Sequence, residues 1–187
     1  MKRSIVAVCV LAVAMAAAAG AFDLPGGGGG KVDTKKFDEL ITSMDEVSSR
    51  LDEAEAKIDE CDSALAAVAA SHDLANVIGD PTKIAELKGV VTEDEKATLK
   101  AQADAVKTIP DDLTAIAEKA TEIMVKIPDA LTDLAGQITA NPMAAKDLKD
   151  KQAQLQEGQA ALEKITADVP ALIDSVTNLM STITTLM

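Results

Sequence analysis

The sequence contains no Trp and no Tyr, two Phe, one His and two Cys. Sugar-binding platforms and base-stacking surfaces are built on aromatic faces, so neither function suits this chain. Positive charge is also scarce, with 18 Lys and Arg against 31 Asp and Glu and a net charge of −13. Nucleic acid needs cations to neutralise its phosphates, and anionic headgroups repel a chain of this sign. Nucleic acid is therefore excluded as a partner. One histidine and two cysteines are too few for a zinc cluster or a disulfide framework.

What is present begins with a leader. Lys2 and Arg3 precede an uncharged apolar run over 5–19, and Ala19-Gly20-Ala21 supplies small residues before Phe22. This is the pattern of a secretory signal peptide over 1–21. A spanning helix needs about 20 strongly apolar residues, and this run is shorter and rich in Ala. Cys9 has only residues 5–8 before it, too little for a lipoprotein signal. Removal of Lys2 and Arg3 with the leader takes the net charge from −13 to −15 and leaves Cys61 as the one cysteine. Residues 22–32 follow as a Gly-rich linker. Five consecutive glycines at 26–30 resist ordering, because glycine loses the most backbone entropy. It is not a phosphate-binding loop, since Pro25 and Val32 stand where that motif requires Gly and Ser or Thr.

The helical domain is read over 33–187. From Phe37 the apolar positions alternate in steps of three and four: Phe37, Leu40, Met44, Val47, Leu51, Ala54, Ile58, Cys61, Leu65, Val68, His72 and Ala75. A run of this length predicts a long helix packing in coiled-coil fashion. Gly79-Asp80-Pro81 ends it and starts a short helix over 81–88. Thr92 and Glu95 have the spacing of a capping box. A second stripe runs Leu99, Val106, Ile109, Leu113, Ile116, Ala120, Ile123, Ile127, Leu131, Leu134 and Ile138, closing at Asn141-Pro142 as cap and start of the next helix. The third is Leu148, Leu155, Leu162, Ile165, Val169, Leu172, Val176, Leu179, Ile183 and Leu186, interrupted by Lys151 and Gly158, so its first half should pack less tightly.

Segments 33–78, 93–140 and 142–187 are nearly equal, each about 70 Å long at ~1.5 Å per residue. The fold class is therefore all-α: an elongated antiparallel bundle of three long coiled-coil-like helices plus a short connecting helix. It becomes four long helices if the second breaks at Pro110. Ile109-Pro110-Asp111 and Ile127-Pro128-Asp129 resemble each other, with Val169-Pro170 a fainter echo. The stripe keeps phase across both Pro110 and Pro128, which predicts kinks and not breaks. The alternative is a new helix at Pro110 with Thr108 as its cap. Folding the hairpins brings Pro110 level with Pro170 and near Cys61, which predicts one concerted bend there.

Acidic pairs recur every seven residues on the first helix: Asp38-Glu39, Asp45-Glu46, Asp52-Glu53 and Asp59-Glu60. They fall on its outward face and, with Cys61, are the candidate interaction residues. Successive pairs stand about 10.5 Å apart, too far for two pairs to share one calcium ion. Arg50 and Lys57 have the spacing of interchain pairs with Glu55 and Asp62 in a parallel coiled coil. They also follow Glu46 and Glu53 by four, the spacing of pairs within one helix. Cys61 lies on the seam, where it is either a small buried residue or, in a parallel dimer, an interchain disulfide. His72 is a seam histidine; Ser71-His72-Asp73 has the letters of a triad without its geometry.

The last 13 residues, 175–187, carry no charge, too few to span a bilayer. They pack in the bundle or touch a membrane without holding to it. The function expected is structural or protein-interacting, in the bacterial cell envelope, periplasmic or released, with a protein partner or self-association. A periplasmic holdase with an open apolar cleft and a membrane-active helical protein are the alternatives. No catalysis, cofactor, metal or small-molecule substrate is expected.

Overall fold

The computed structural model describes residues 32–187. Its elements are α1 (Lys35–Ser71), α2 (Pro81–Val90), α3 (Glu93–Val106), α4 (Ile109–Ala140) and α5 (Ala145–Leu186), with a 3-10 turn at Pro142–Ala144 between α4 and α5. No strand occurs among the described residues. The signal peptide read at 1–21 and nearly all of the Gly-rich linker lie outside them. Val32, assigned to that linker, is partly buried against the core.

The stripes become one continuous core. Every α1 position expected on the seam from Phe37 to Val68 is buried, and so is the α5 stripe apart from the half-buried Leu172. On α3 and α4 the buried row is Leu99, Ala103, Val106, Ile109, Leu113, Ile116, Ala120, Ile123, Ile127, Ala130 and Leu134, so Ala130 replaces Leu131 as the fully covered position. Lys36 at the start of α1 meets Asp133 near the end of α4, and His72 after α1 meets Glu95 at the start of α3. α1 is therefore antiparallel to α3 and α4. Lys151 reaches Asp38, and Gly158 lies under Met44, which sets α5 parallel to α1. This is the up-down-up order expected, closed without a sheet.

The first helix is shorter than its pattern. α1 ends at Ser71, not near residue 78, and Ala75 is exposed while Val77 is buried. Asp73 takes φ +58°, its N–H bonds Ala70 O at 3.1 Å, and the N–H of Leu74 bonds Ala69 O at 2.9 Å. That pair of bonds is a Schellman stop. Asp tolerates the left-handed region because its short polar side chain bonds locally. Asn76 and Gly79 also have positive φ, and Asp80 then caps α2 by accepting from Thr82 N and Lys83 N.

The second stripe breaks at Pro110, so the four-helix alternative holds there and the predicted kink does not. Pro110 has no N–H to give the carbonyl of Val106, and α3 stops at that residue. Lys107 and Thr108 nevertheless keep right-handed helical angles. The interruption is in the hydrogen-bond ladder; the buried row passes straight over it. A concerted bend of continuous helices at this level is ruled out by the end of α3. Pro128 and Pro170 both lie inside continuous helices and both are exposed. Their rings are on the outer side of the bundle, and each removes the N–H that the carbonyl of Met124 or Thr166 would accept. The Ile-Pro-Asp likeness extends further: Thr114 and Thr132 each donate to the carbonyl of the proline four residues back, at 2.9 Å. Asn141 also departs from expectation, since its side chain donates to Gln137 O at 3.1 Å and so finishes α4 instead of starting α5.

The first half of α5 is not loose. Leu148 and Leu155 are buried, Lys151 ties to Asp38, and the missing side chain of Gly158 is the space that Met44 fills.

Candidate functional site

The eight acidic side chains singled out on α1 are all exposed. They divide into two groups. Asp38 takes Lys151 from α5 and accepts from Thr34 Oγ1 at 3.1 Å, so it belongs to the bundle's own ties. Glu39 lies 3.5 Å from Lys35, an open pair of small value. Asp45, Glu46, Asp52, Glu53, Asp59 and Glu60 make no ion pair among the described residues. They form the unpartnered part of the acidic face.

Beside this face, α1 and α4 leave two shallow clefts. One, of 260 Å³, holds Glu46 and Arg50 from α1 with Glu118, Lys119 and Glu122 from α4. The other, of 180 Å³, holds Arg50, Glu53 and Lys57 over Asp112. Arg50 and Lys57 form no salt bridge with Glu46 or Glu53 among the described residues, so the spacing of four is not used. Arg50 borders α4, and Glu55 lies where Asp168 and Lys164 of α5 act on it. Arg50, Lys57 and Asp62 remain exposed, and Glu55 is half-buried. Burial pushes the Glu55 carboxyl above the usual range, helped by Asp52, Asp59 and Asp168 and opposed by Lys164.

Cys61 is fully buried in the core, and burial first, then Asp62, pushes its thiol up. It cannot meet a twin while the bundle is closed. His72 is not a core histidine: it caps α1 and places Nε2 3.0 Å from Glu95 Oε2 across to α3. Glu95 also accepts from Thr92 N at 2.8 Å within the expected capping box, and Ser71 Oγ lies 2.9 Å from its other oxygen. The backbone N–H of Thr92, then His72, the Thr92 hydroxyl and Ser71 hold this carboxyl at about 2, against a small opposing effect of desolvation. The capping-box spacing disclosed the local half of this cluster. The crossing to His72 joins residues 23 apart, and no local signal announces it.

The segment from 175 onward packs one face into the bundle: Val176, Leu179, Ile183 and Leu186 are buried, and Thr182 is covered with its hydroxyl donating to Asn178 O. Among the described residues no helix is long and apolar enough to cross a membrane, and no three His, Cys, Asp or Glu side chains converge as metal ligands. Comparison with protein-family models, curated proteins and solved structures finds no match.

Proposed function

We propose that the chain is an exported, non-catalytic rod of the bacterial cell envelope that joins or spaces other proteins, with the acidic face of α1 as its contact for a basic partner. The observation that carries this is the division of its surface. The apolar stripes of α1, α3, α4 and α5 are buried on one another, while Asp45, Glu46, Asp52, Glu53, Asp59 and Glu60 face outward without counter-ions among the described residues. A holdase calls for a cleft with apolar walls, whereas charged side chains border both clefts here. Membrane activity calls for a free C-terminal face, and that face is covered.

Light scattering on residues 22–187 should give a monomer whose mass does not change with reductant. A reductant-sensitive dimer would put Cys61 at a contact and overturn the closed bundle. In cells, a photoreactive residue at position 52 should yield a defined adduct that one at position 121, on α4, does not. Equal adducts from both positions, or none, would remove the acidic face from the proposal. Export predicts a mature N-terminus at Phe22 by sequencing, and an intact Met1 in the cytoplasmic fraction would contradict it.

A further inference from the structure

We infer that residues 73–108 form a hinged arm, latched to the body by His72 and Glu95, which opens as a unit while α1, α4 and α5 stay packed. The inference stands on geometry and is independent of the rod reading.

Both ends of the arm are built to pivot. At the first, Asp73, Asn76 and Gly79 have positive φ, so the chain changes direction three times between α1 and α2. At the second, Lys107 and Thr108 separate α3 from α4, and Pro110 leaves the Val106 carbonyl without its helical donor. Between the pivots the arm is thinly anchored. Its buried apolar side chains are Val77, Leu87, Val91, Leu99, Ala103 and Val106, six in a stretch longer than α4, which buries eight in 32 residues. Regions with few buried apolar contacts open at the lowest free energy.

Apart from the bonds at its two ends, two polar ties fasten the arm to the body among the described residues. One is Glu95 with His72 and Ser71; the other is Lys88 Nζ donating to Thr185 O at 2.7 Å. The first is the larger, because Glu95 takes two donors from the body and both His72 and Glu95 are about four-fifths covered. Lys83 bonds Ala75 O and Lys96 bonds Glu93, so those cations serve the arm internally. α2 and α3 both pack on α5, and α3 also packs on α1. Opening the arm therefore uncovers apolar surface at the end of the bundle where α1 stops, including part of the uncharged last turns of α5. The closed arm acts as a cover on that surface.

The test is amide hydrogen exchange of the purified chain, read by peptide, with the wild type beside His72→Ala and Pro110→Ala. His72→Ala leaves the Thr92–Glu95 capping box and the Ser71 bond intact and cuts the more covered of the two crossing bonds. It should speed exchange across 81–106 about tenfold while α4 peptides over 113–134 change less than twofold. Pro110→Ala supplies at residue 110 the N–H donor that the Val106 carbonyl lacks and should slow exchange in 81–106. It also guards against a His72 variant that fails to fold, since it removes a defect. Exchange in 81–106 that tracks α4 in every protein would mean that the bundle opens only as a whole, and would overturn the arm. No change in either variant would overturn the latch and the hinge together.

Discussion

A Cβ placed on Gly158 would stand 2.5 Å from both Sδ and Cε of Met44, so an alanine there must displace the far end of that buried side chain. Gly136, inside α4, has open space around the same position. The two glycines should therefore answer differently to alanine. Gly136→Ala should gain about 0.5–1 kcal/mol from helix propensity alone. Gly158→Ala should gain less, because the end of Met44 must repack within the core and that repacking offsets the propensity gain. Urea denaturation of both variants decides it. An equal gain at 158 would mean that the Met44 side chain swings aside without cost.

Glu95 makes an acid-sensitive contribution to stability. Its folded value of about 2 lies below the ~4.3 of an unfolded glutamate. The contribution is therefore complete above the unfolded value and is lost as pH falls towards about 2. Glu95→Gln should be less stable than wild type at pH 7, and the gap between their melting temperatures should close between about pH 5 and pH 2. A gap that is constant across this range would mean that the charge contributes nothing.

Much of this architecture is legible in the chain because a heptad seam needs only local periodicity to show itself. Phe37 to Val68, the capping box at Thr92 and the cap at Asp80 follow that rule. The features that escaped are those decided elsewhere. α1 stops on an Asp in the left-handed region where a glycine would have advertised the end. At Pro110 the buried row keeps phase while the ladder breaks, so periodicity alone reads straight through. Lys151 and Gly158 look like flaws in the α5 stripe until Asp38 and Met44 are seen opposite them. The acidic face was readable as exposed; that Asp38 is drawn into the bundle's own ties was not. His72, read as seam, sits just past the end of its helix and turns to Glu95.

Glu55 should behave in the opposite sense to Glu95. Burial first, then Asp52, Asp59 and Asp168, raise its carboxyl, so the charged form opposes folding. That cost is present above the raised folded value and is relieved as pH falls through it. Glu55→Gln should raise the melting temperature at pH 7 by less than the roughly 2–4 °C that about 1 kcal/mol gives a chain of this size, because the site is partly exposed. The advantage should vanish below about pH 4, where both proteins are neutral at this position. A variant that is less stable at pH 7 would show that Lys164 outweighs burial.

Pro128 and Pro170 offer the last test, because each sits inside a helix that continues past it. An interior proline costs about 3 kcal/mol when it removes a bond and crowds the preceding turn. Here both rings are on exposed positions, so neither disturbs the packed core and part of that cost is avoided. Pro128→Ala and Pro170→Ala should each stabilise the bundle by about 1–2 kcal/mol, with an unchanged denaturant slope. The two gains should add, since the residues lie on different helices and share no hydrogen bond. Loss of stability in either variant would mean that the backbone shape imposed by that proline is what lets α4 or α5 follow the surface of α1. Such a result would move the prolines from tolerated defects to determinants of the packing.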